Sequence, residues 1–284
     1  MVAARIAVLG RGLVPAGDPV LRGDDLGVLR GDGLFETMHL RSGRPWLPAA
    51  HLERMARSAK AVELPLPPAD ALTALLDEVC TGWPAGVEGA LRLVCTRGPE
   101  GDGPATVYAT LAEVPASARA ARRDGITVAT LPLGVPARAR SGLDWLPMGI
   151  KSTSYAVSTA ARRWASRTGV DDVLWVSTDG YVLEGPIANV VWLAGDTLCT
   201  VPATDTGILP GTTVAWLLAH AAEAGLDAGG RMATPADLHT ADGVWFTSSV
   251  RGLVEVRALD GAELPRSAHT GRLQALLGFP VPPR

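Results

Sequence analysis

The sequence predicts an α+β fold of two domains, and three observations lead there. The chain has 284 residues, enough for one large domain or two modest ones, each with its own core. Segments of helical and of extended character are mixed along it without strict alternation, which disfavours a plain doubly wound sheet. Between two such sets lies "PASARAARRDG" (residues 115–125), rich in Ala and Arg without apolar periodicity, which reads as a linker. The expected layout is a small N-terminal α/β domain over residues 1–115, a linker over 116–125 and a larger mixed β/α domain over 126–284.

In the first domain, "LFETMHLRSGRPWL" reads as a hairpin turning at Ser42-Gly43. After it, Leu52, Met55, Ala56, Ala59 and Val62 recur at helical spacing up to Pro65. A second helix is expected from Pro68 to about Cys80, with Leu72, Leu75, Leu76 and Val79 on one face. Two strands, "ALRLVCT" and "ATVYATLAEV", complete this half.

The second domain opens with strand "ITVATLPL" and a loop leading to Lys151. A helix from about Tyr155 to Ser166 follows, then strand "DVLWVS", a turn at Asp179-Gly180 and strand "NVVWLAG". "GILPGTTVAWLLAHAAEAG" is a turn running into a helix whose apolar stripe is Val214, Leu217, Leu218 and Ala221. "GVWFTSSVRGLVEVRALDG" reads as strand, polar loop, strand.

Hydrophobic residues make up 47% and charged ones 19%, and the formal net charge of −3 argues against a general binder of nucleic acid or membrane surfaces. Cys80, Cys95 and Cys199 show neither metal-ligand spacing nor a disulfide framework, so no metal is expected and buried thiols in a reducing compartment are. No run reaches transmembrane length and the N-terminus lacks the apolar stretch of a secretion signal; a soluble, cytoplasmic protein is expected.

Two of the 26 basic residues are lysines, Lys60 and Lys151, and the rest are arginines. That bias is what a GC-rich genome produces wherever any positive charge will do. Lys60 sits at the end of an amphipathic helix and reads as solvated. Lys151 follows Gly-Ile and precedes small hydroxyl residues, an odd setting for a surface charge. A lysine can shed its proton and act as an amine nucleophile, whereas a guanidinium cannot.

Taken singly, the other motifs have ordinary structural readings. His51 and Arg54 in "HLERM" fit a solvated helix edge, and "LPGTT" a helix start capped by Thr212 or Thr213. "TSS" at 247–249 fits a polar loop, and Glu184 a turn residue. In combination, "GDGLFET", "HLER", "GIKSTSY", "EGPIAN", "LPGTT" and "FTSS" occur in this order. The chain in this respect resembles the fold-type IV pyridoxal-phosphate enzymes, the class IV aminotransferase family. These include branched-chain and D-amino acid aminotransferases and 4-amino-4-deoxychorismate lyases. The resemblance runs from about residue 20 to 258, and the spacings from Lys151 to Glu184 and from Glu184 to Gly211 are similar to the family's.

The resemblance implies a role for each motif. Lys151, in the larger domain, would attach pyridoxal 5'-phosphate covalently and then act as the acid/base at the substrate carbon bearing the amine. Glu184 would pair with the pyridine nitrogen, and Asn189 would support the Glu184 loop. Arg54, Gly211, Thr212, Thr213, Ser248 and Ser249 would cradle the phosphate. Tyr155 would hydrogen-bond the cofactor's phenolic oxygen.

"RGDGLFET", "IKSTSYAV" and "VSTDGYVLEGP" are similar to actinobacterial proteins assigned as aminodeoxychorismate lyase. That enzyme releases 4-aminobenzoate and pyruvate in folate biosynthesis. Its substrate carries two carboxylates, so cationic partners are needed; Arg92, Arg97, Arg251 and Arg30 are the candidates. Arg92 and Arg97 point to opposite faces of a regular strand. The chain departs from many relatives in "GPEGDGP", which has Asp102 and no Arg, in Val214 after the cradle, and in Pro186-Ile187 after Glu-Gly. The alternatives are a transaminase acting on D-amino or branched-chain amino acids, and a non-catalytic scaffold that binds the cofactor. Relatives of this fold are homodimers, and the same is expected here.

Overall fold

The computed structural model describes the whole chain except Met1, Asp102, Arg140, Ser141, Gly142, Asp144, Pro147 and residues 280–284. Asp102, singled out above, therefore lies outside the described residues. The chain divides into two units, Met1–Pro115 with Ile150–Tyr155, and Ala116–Gly149 with Ala156–Arg284.

The first unit is built on an antiparallel sheet. Its strands are β1 (Arg5–Val8), β2 (Gly12–Val14), β3 (Gly33–Arg41), β4 (Arg44–Pro45), β5 (Gly89–Thr96) and β6 (Thr106–Glu113), in the spatial order β2-β1-β6-β5-β3-β4. The predicted hairpin is β3–β4, with Ser42 and Gly43 both at positive φ. Helices α1 (Leu26–Leu29), α2 (Pro48–Ala61) and α3 (Ala69–Cys80) accompany the sheet. Alternate residues Leu34, Met38 and Leu40 of β3, Leu91, Leu93 and Cys95 of β5, and Val107, Ala109 and Leu111 of β6 share one core with Met55 and Ala59 of α2 and Leu72, Leu75, Leu76 and Val79 of α3. In α2 the apolar stripe is incomplete: Ala56 is exposed, while His51, Arg54 and Ser58 are buried.

Lys151 was expected in the second domain, but the contacts assign Ile150–Tyr155 to the first unit. The cause is backbone pairing to β3: Phe35 N donates to Lys151 O at 2.9 Å, Thr153 N to Gly33 O at 2.8 Å, and Leu34 and Ser152 form an antiparallel bridge. Gly33 allows this approach, since a Cβ there would sit 3.0 Å from Cys95 O and 3.1 Å from Thr153 Oγ1.

The second unit is built on a mixed sheet, with β7 (Ile126–Pro132), β8 (Asp172–Val176), β9 (Glu184–Gly185), β10 (Ala188–Ala194), β11 (Thr197–Thr200), β12 (Asp227–Gly230), β13 (Gly243–Ser248), β14 (Gly252–Leu259) and β15 (Ala262–Glu263). The main path runs β12-β11-β10-β13-β14-β7-β8, with β9 paired to β10 and β15 to β14. Its helices are α4 (Ala116–Asp124), α5 (Ala156–Thr168), α6 (Ala203–Thr206), α7 (Thr212–Ala219), α8 (Pro235–His239) and α9 (Thr270–Leu276). The core gathers Val190 and Trp192 of β10, Phe246 of β13, Val254 and Val256 of β14, and Ile126 and Val128 of β7.

The segment read as a linker is α4. Few apolar residues hold it, which is why no periodicity was visible. Its grip is polar: Arg122 donates to the carbonyls of Val250 and Arg251 and lies 4.0 Å from the Phe279 ring centroid, and Gln274 donates to the Arg122 carbonyl.

Leu93 is fully buried at the centre of the first unit's core. Leu93→Ala is expected to cost about 2–5 kcal/mol, the range for a buried leucine whose cavity only partly collapses, read as a lowered urea midpoint in far-ultraviolet circular dichroism.

Candidate active site

Each unit carries its own set of functional side chains. In the first, the bridge to β3 holds the Lys151 backbone, so its amine stands on a sheet edge and not on a free loop. Nζ is 4.6 Å from the Phe35 ring centroid and 3.4 Å from the Tyr155 hydroxyl, to which it donates. Phe35 and Tyr155 meet edge to face, 5.1 Å apart. Lys151 is half-buried, while Lys60 at the end of α2 is exposed, as expected.

Arg92 also touches this aromatic pair, its guanidinium carbon 5.1 Å from the Phe35 centroid. One ring thus separates the amine from a cation that can receive a carboxylate. Tyr108 lies on the neighbouring strand; burial raises its hydroxyl pKa and the Arg92 charge pulls partly back.

The other arginine candidates fare differently. Arg97 donates Nε and Nη2 to Asp32 at 2.6 and 3.3 Å, Nη1 to Glu63 O and Nη2 to Val62 O. It therefore staples the "GDG" loop to the end of α2. Arg251 donates to the buried Asp172 at 2.8 Å, and its own Nε is buried without a hydrogen-bond partner. That arrangement ties the turn after β13 to the start of β8. Arg30 is exposed beside the loop.

Arg54 projects from α2 into a buried network. Its Nε and Nη2 bind the two oxygens of Glu36 at 2.8 and 2.6 Å, and His51 Nδ1 meets Glu36 Oε2 at 2.6 Å. Burial alone would raise the Glu36 carboxyl; the hydrogen bonds from Arg54 and His51 outweigh it and hold the group at about 2. Burial lowers the His51 pKa, against the pull of the Glu36 charge. With neutral His51 the network is an ion pair that fixes the plane of the Arg54 guanidinium. Two of the fork's donors are thereby committed to Glu36. Glu36 was missed in the sequence, although the alternation of "LFETMHL" places it on the face of Leu34 and Met38.

In the second unit Glu184 lies opposite Asn189 in the β9–β10 pairing. Leu209 N donates to both carboxylate oxygens at 3.2 Å, and Asn189 Nδ2 binds Leu209 O at 2.8 Å and Glu184 Oε2 at 3.4 Å. Asn189 thus supports Glu184 and ties it to the turn that opens α7. At Gly211 a Cβ would overlap Asn189 Oδ1, so this close approach requires glycine. The helix start then presents Thr212 and Thr213, and Thr213 Oγ1 lies 3.5 Å from Ser249 Oγ. Ser248 ends β13 and Ser249 opens the turn to β14. Within the second unit, an anchored carboxylate and hydroxyls gathered at a helix N-terminus are groups that a pyridine nitrogen and a phosphate require.

The sequence profile of the amino-transferase class IV family matches residues 33–259. The chain belongs to this family. A bifunctional aminodeoxychorismate lyase / D-amino acid transaminase of Mycobacterium tuberculosis is 40% identical over 270 residues, 92% of this chain and 93% of that protein. An aminodeoxychorismate lyase of Bacillus subtilis is 30% identical over 248 residues, 84% of this chain and 80% of its own length. Among solved structures, the pyridoxal-phosphate-bound form of a hypothetical aminotransferase from Mycobacterium tuberculosis superposes with a TM-score of 0.93 at 40% identity, covering 97% of this chain and 98% of that one. A fold IV transaminase of Curtobacterium pusillum gives 0.88 at 36% identity, covering 97% of each. The class IV aminotransferase member described here accordingly has the two-unit α+β architecture of fold type IV and is an enzyme of this type. Among the described residues, no helix is long and apolar enough to cross a membrane.

Replacing Glu36 by Gln leaves the Arg54 charge buried without its counter-ion and is expected to destabilise the protein by about 3–5 kcal/mol. The wild-type carboxyl lies at about 2 when folded against an ordinary 4.5. Its contribution is therefore present above the ordinary value and is lost as pH falls from there towards the folded one. Melting temperatures measured from pH 6 to pH 3 are expected to fall more steeply in the wild type than in Glu36→Gln.

Proposed function

We propose that this enzyme uses pyridoxal 5'-phosphate to convert 4-amino-4-deoxychorismate into 4-aminobenzoate and pyruvate, a step of folate biosynthesis. The observation that carries the reading is the shared placement of Lys151 and Arg92 around Phe35, an acid/base amine and a carboxylate-binding guanidinium on one aromatic ring. The lyase function named for the relatives from Mycobacterium tuberculosis and Bacillus subtilis supports it. When bound, the cofactor supplies an electron sink next to the substrate's C4 amine.

In this reading Lys151 is the residue that holds the cofactor and then takes the proton from C4. The C3–O bond breaks, the enolpyruvyl group leaves to become pyruvate, and the ring becomes aromatic with its amine retained. Aromatisation drives the step, so the protein's main task is to place the C4–H bond against the amine. Phe35 and Tyr155 wall the Lys151 amine, and Arg92 receives one substrate carboxylate. Glu184, held by Leu209 N and Asn189, pairs with the pyridine nitrogen. Arg54, Gly211, Thr212, Thr213, Ser248 and Ser249 hold the phosphate. The enzyme works in the cytoplasm as a homodimer.

A second reading, transamination of D-amino acids with a 2-oxo acid acceptor, uses the same residues; the bifunctional name of the Mycobacterium tuberculosis relative favours it as a companion activity.

Purified, cofactor-loaded protein given 4-amino-4-deoxychorismate is expected to release equimolar 4-aminobenzoate and pyruvate. Glutamate formation from D-alanine and 2-oxoglutarate with no 4-aminobenzoate would overturn the lyase reading in favour of the transaminase. Lys151→Ala is expected to lose the visible absorption band of the bound cofactor together with turnover, and normal turnover in that variant would refute the assignment. Arg92→Ala is expected to raise KM for the dicarboxylate by about 10–100-fold, the loss of one charged hydrogen-bonded contact. Arg97→Ala should act on the melting temperature instead.

A further inference from the structure

The turn that follows Ser248 is held from behind by two arginines. Residues 249–251 connect β13 to β14, and Ser248 and Gly252 form the last pair of that ladder. A hairpin turn of this kind ordinarily leaves its carbonyls to water. Here one guanidinium, that of Arg122 on α4, takes two of them: Nε donates to Arg251 O at 3.1 Å and Nη2 to Val250 O at 3.0 Å. Arg122 is in turn fixed by the Phe279 ring under its guanidinium and by Gln274, which donates to its carbonyl. The side chain of the turn's third residue, Arg251, is drawn to Asp172 at the start of β8, a carboxylate only 3% exposed.

The directions matter. In a trans peptide the C=O and N–H point opposite ways. Binding the Val250 and Arg251 carbonyls to Arg122 therefore sets the orientation of both peptide planes and turns the N–H groups of Arg251 and Gly252 away from α4. Ser249, the turn's first residue, reaches Thr213 at the start of α7 at 3.5 Å. The turn is thus pinned through its carbonyls and its Arg251 side chain, while its serine is presented to a helix N-terminus. The arrangement spends a buried ion pair and leaves the Arg251 Nε without a partner. Such costs are characteristic of groups that fix a geometry more than they add stability.

We infer that Arg122, with the Asp172–Arg251 pair, is a positioning element for the phosphate cradle, pre-setting the Ser249 turn so that Ser248 and Ser249 meet a phosphate without reorganisation. The inference rests on the cradle assigned under the proposed function. Arg122 touches neither cofactor nor substrate in this account; it acts through the turn.

The test compares apo-protein binding of pyridoxal 5'-phosphate with binding of pyridoxal, which lacks the phosphate, by titrating the absorbance of the bound form. The ratio of the two dissociation constants isolates phosphate recognition, and a general loss of stability affects both ligands alike. Arg122→Ala is expected to lower the preference for the phosphorylated form by about tenfold, the size of one charge-assisted hydrogen bond, and Arg122→Lys to recover part of it. Ser249→Ala serves as the control on the cradle itself. A lowered ratio in Ser249→Ala with an unchanged ratio in Arg122→Ala would overturn the positioning role alone. An unchanged ratio in both would overturn the cradle assignment and the inference with it. Should Arg122→Ala fail to fold, Arg122→Lys and Asp172→Asn, which releases Arg251, are read in the same way.

Discussion

The short antiparallel pairing between the start of β3 and the segment around Lys151 is the constraint on which the proposed chemistry rests. Phe35 N to Lys151 O and Thr153 N to Gly33 O fix the backbone on both sides of the lysine, so its side chain swings from a rigid edge. An acid/base amine is useful only if it lies within hydrogen-bond reach of the proton it moves, and a misplacement of about 1 Å can cost a hundredfold in rate. The "GDGLFET" motif serves that placement. Gly33 lets the strands approach, Phe35 supplies the wall beside the amine, and Glu36, pointing the other way, organises α2. One strand therefore sets both the lysine and the arginine assigned to the phosphate.

The arginines sort by what occupies them. Arg97 is spent on Asp32 and two carbonyls, Arg251 on Asp172, and Arg122 on the turn after β13, all as cross-links between segments far apart in the sequence. Five donors in a fixed plane suit that task better than an ammonium does. Arg92, like Arg122, has its guanidinium over an aromatic face, in its case that of Phe35 beside the Lys151 amine. Cation–π contact costs the group little of its capacity to bind a carboxylate in the ring plane, so a stacked arginine can be held in place and still serve a ligand.

Much of this was legible in the sequence. Periodicity located β3, α2, α3, β5, β6, β7, β8, β10 and α7 to within a few residues, because each has an apolar face wide enough to dominate its window. The polar elements were hidden. Helix α4 lacks a stripe because Arg122 and its carbonyl partners hold it, and those partners lie more than a hundred residues away. The buried face of α2 carries His51 and Arg54, which look solvated until Glu36 is seen on the facing strand. The assignment of Lys151 to the first unit was likewise invisible, since backbone hydrogen bonds to Gly33 and Phe35 leave no trace in side-chain pattern. Among the candidate arginines, strand alternation separated Arg92 from Arg97, but only the positions of Asp32 and Asp172 show which guanidinium groups are already taken.

The pairing of lyase and transaminase activities in the name of the Mycobacterium tuberculosis relative follows from how little the two reactions ask of a protein before they diverge. Both begin with removal of a proton from the carbon that bears the amine, and both need the same amine, the same anchored carboxylate and the same phosphate grip. In the lyase reaction the next event is departure of a group already present on the neighbouring carbon, and aromatisation makes it irreversible without further help. In transamination the proton must be returned at a different atom, and a second, non-aromatic substrate must be admitted in turn. A site that places one C–H bond against Lys151 is therefore sufficient for the first reaction and necessary for the second. Discrimination falls to the groups that receive the carboxylates; in the proposed site the first unit offers Arg92 for that task, its guanidinium over the Phe35 ring that also flanks the amine.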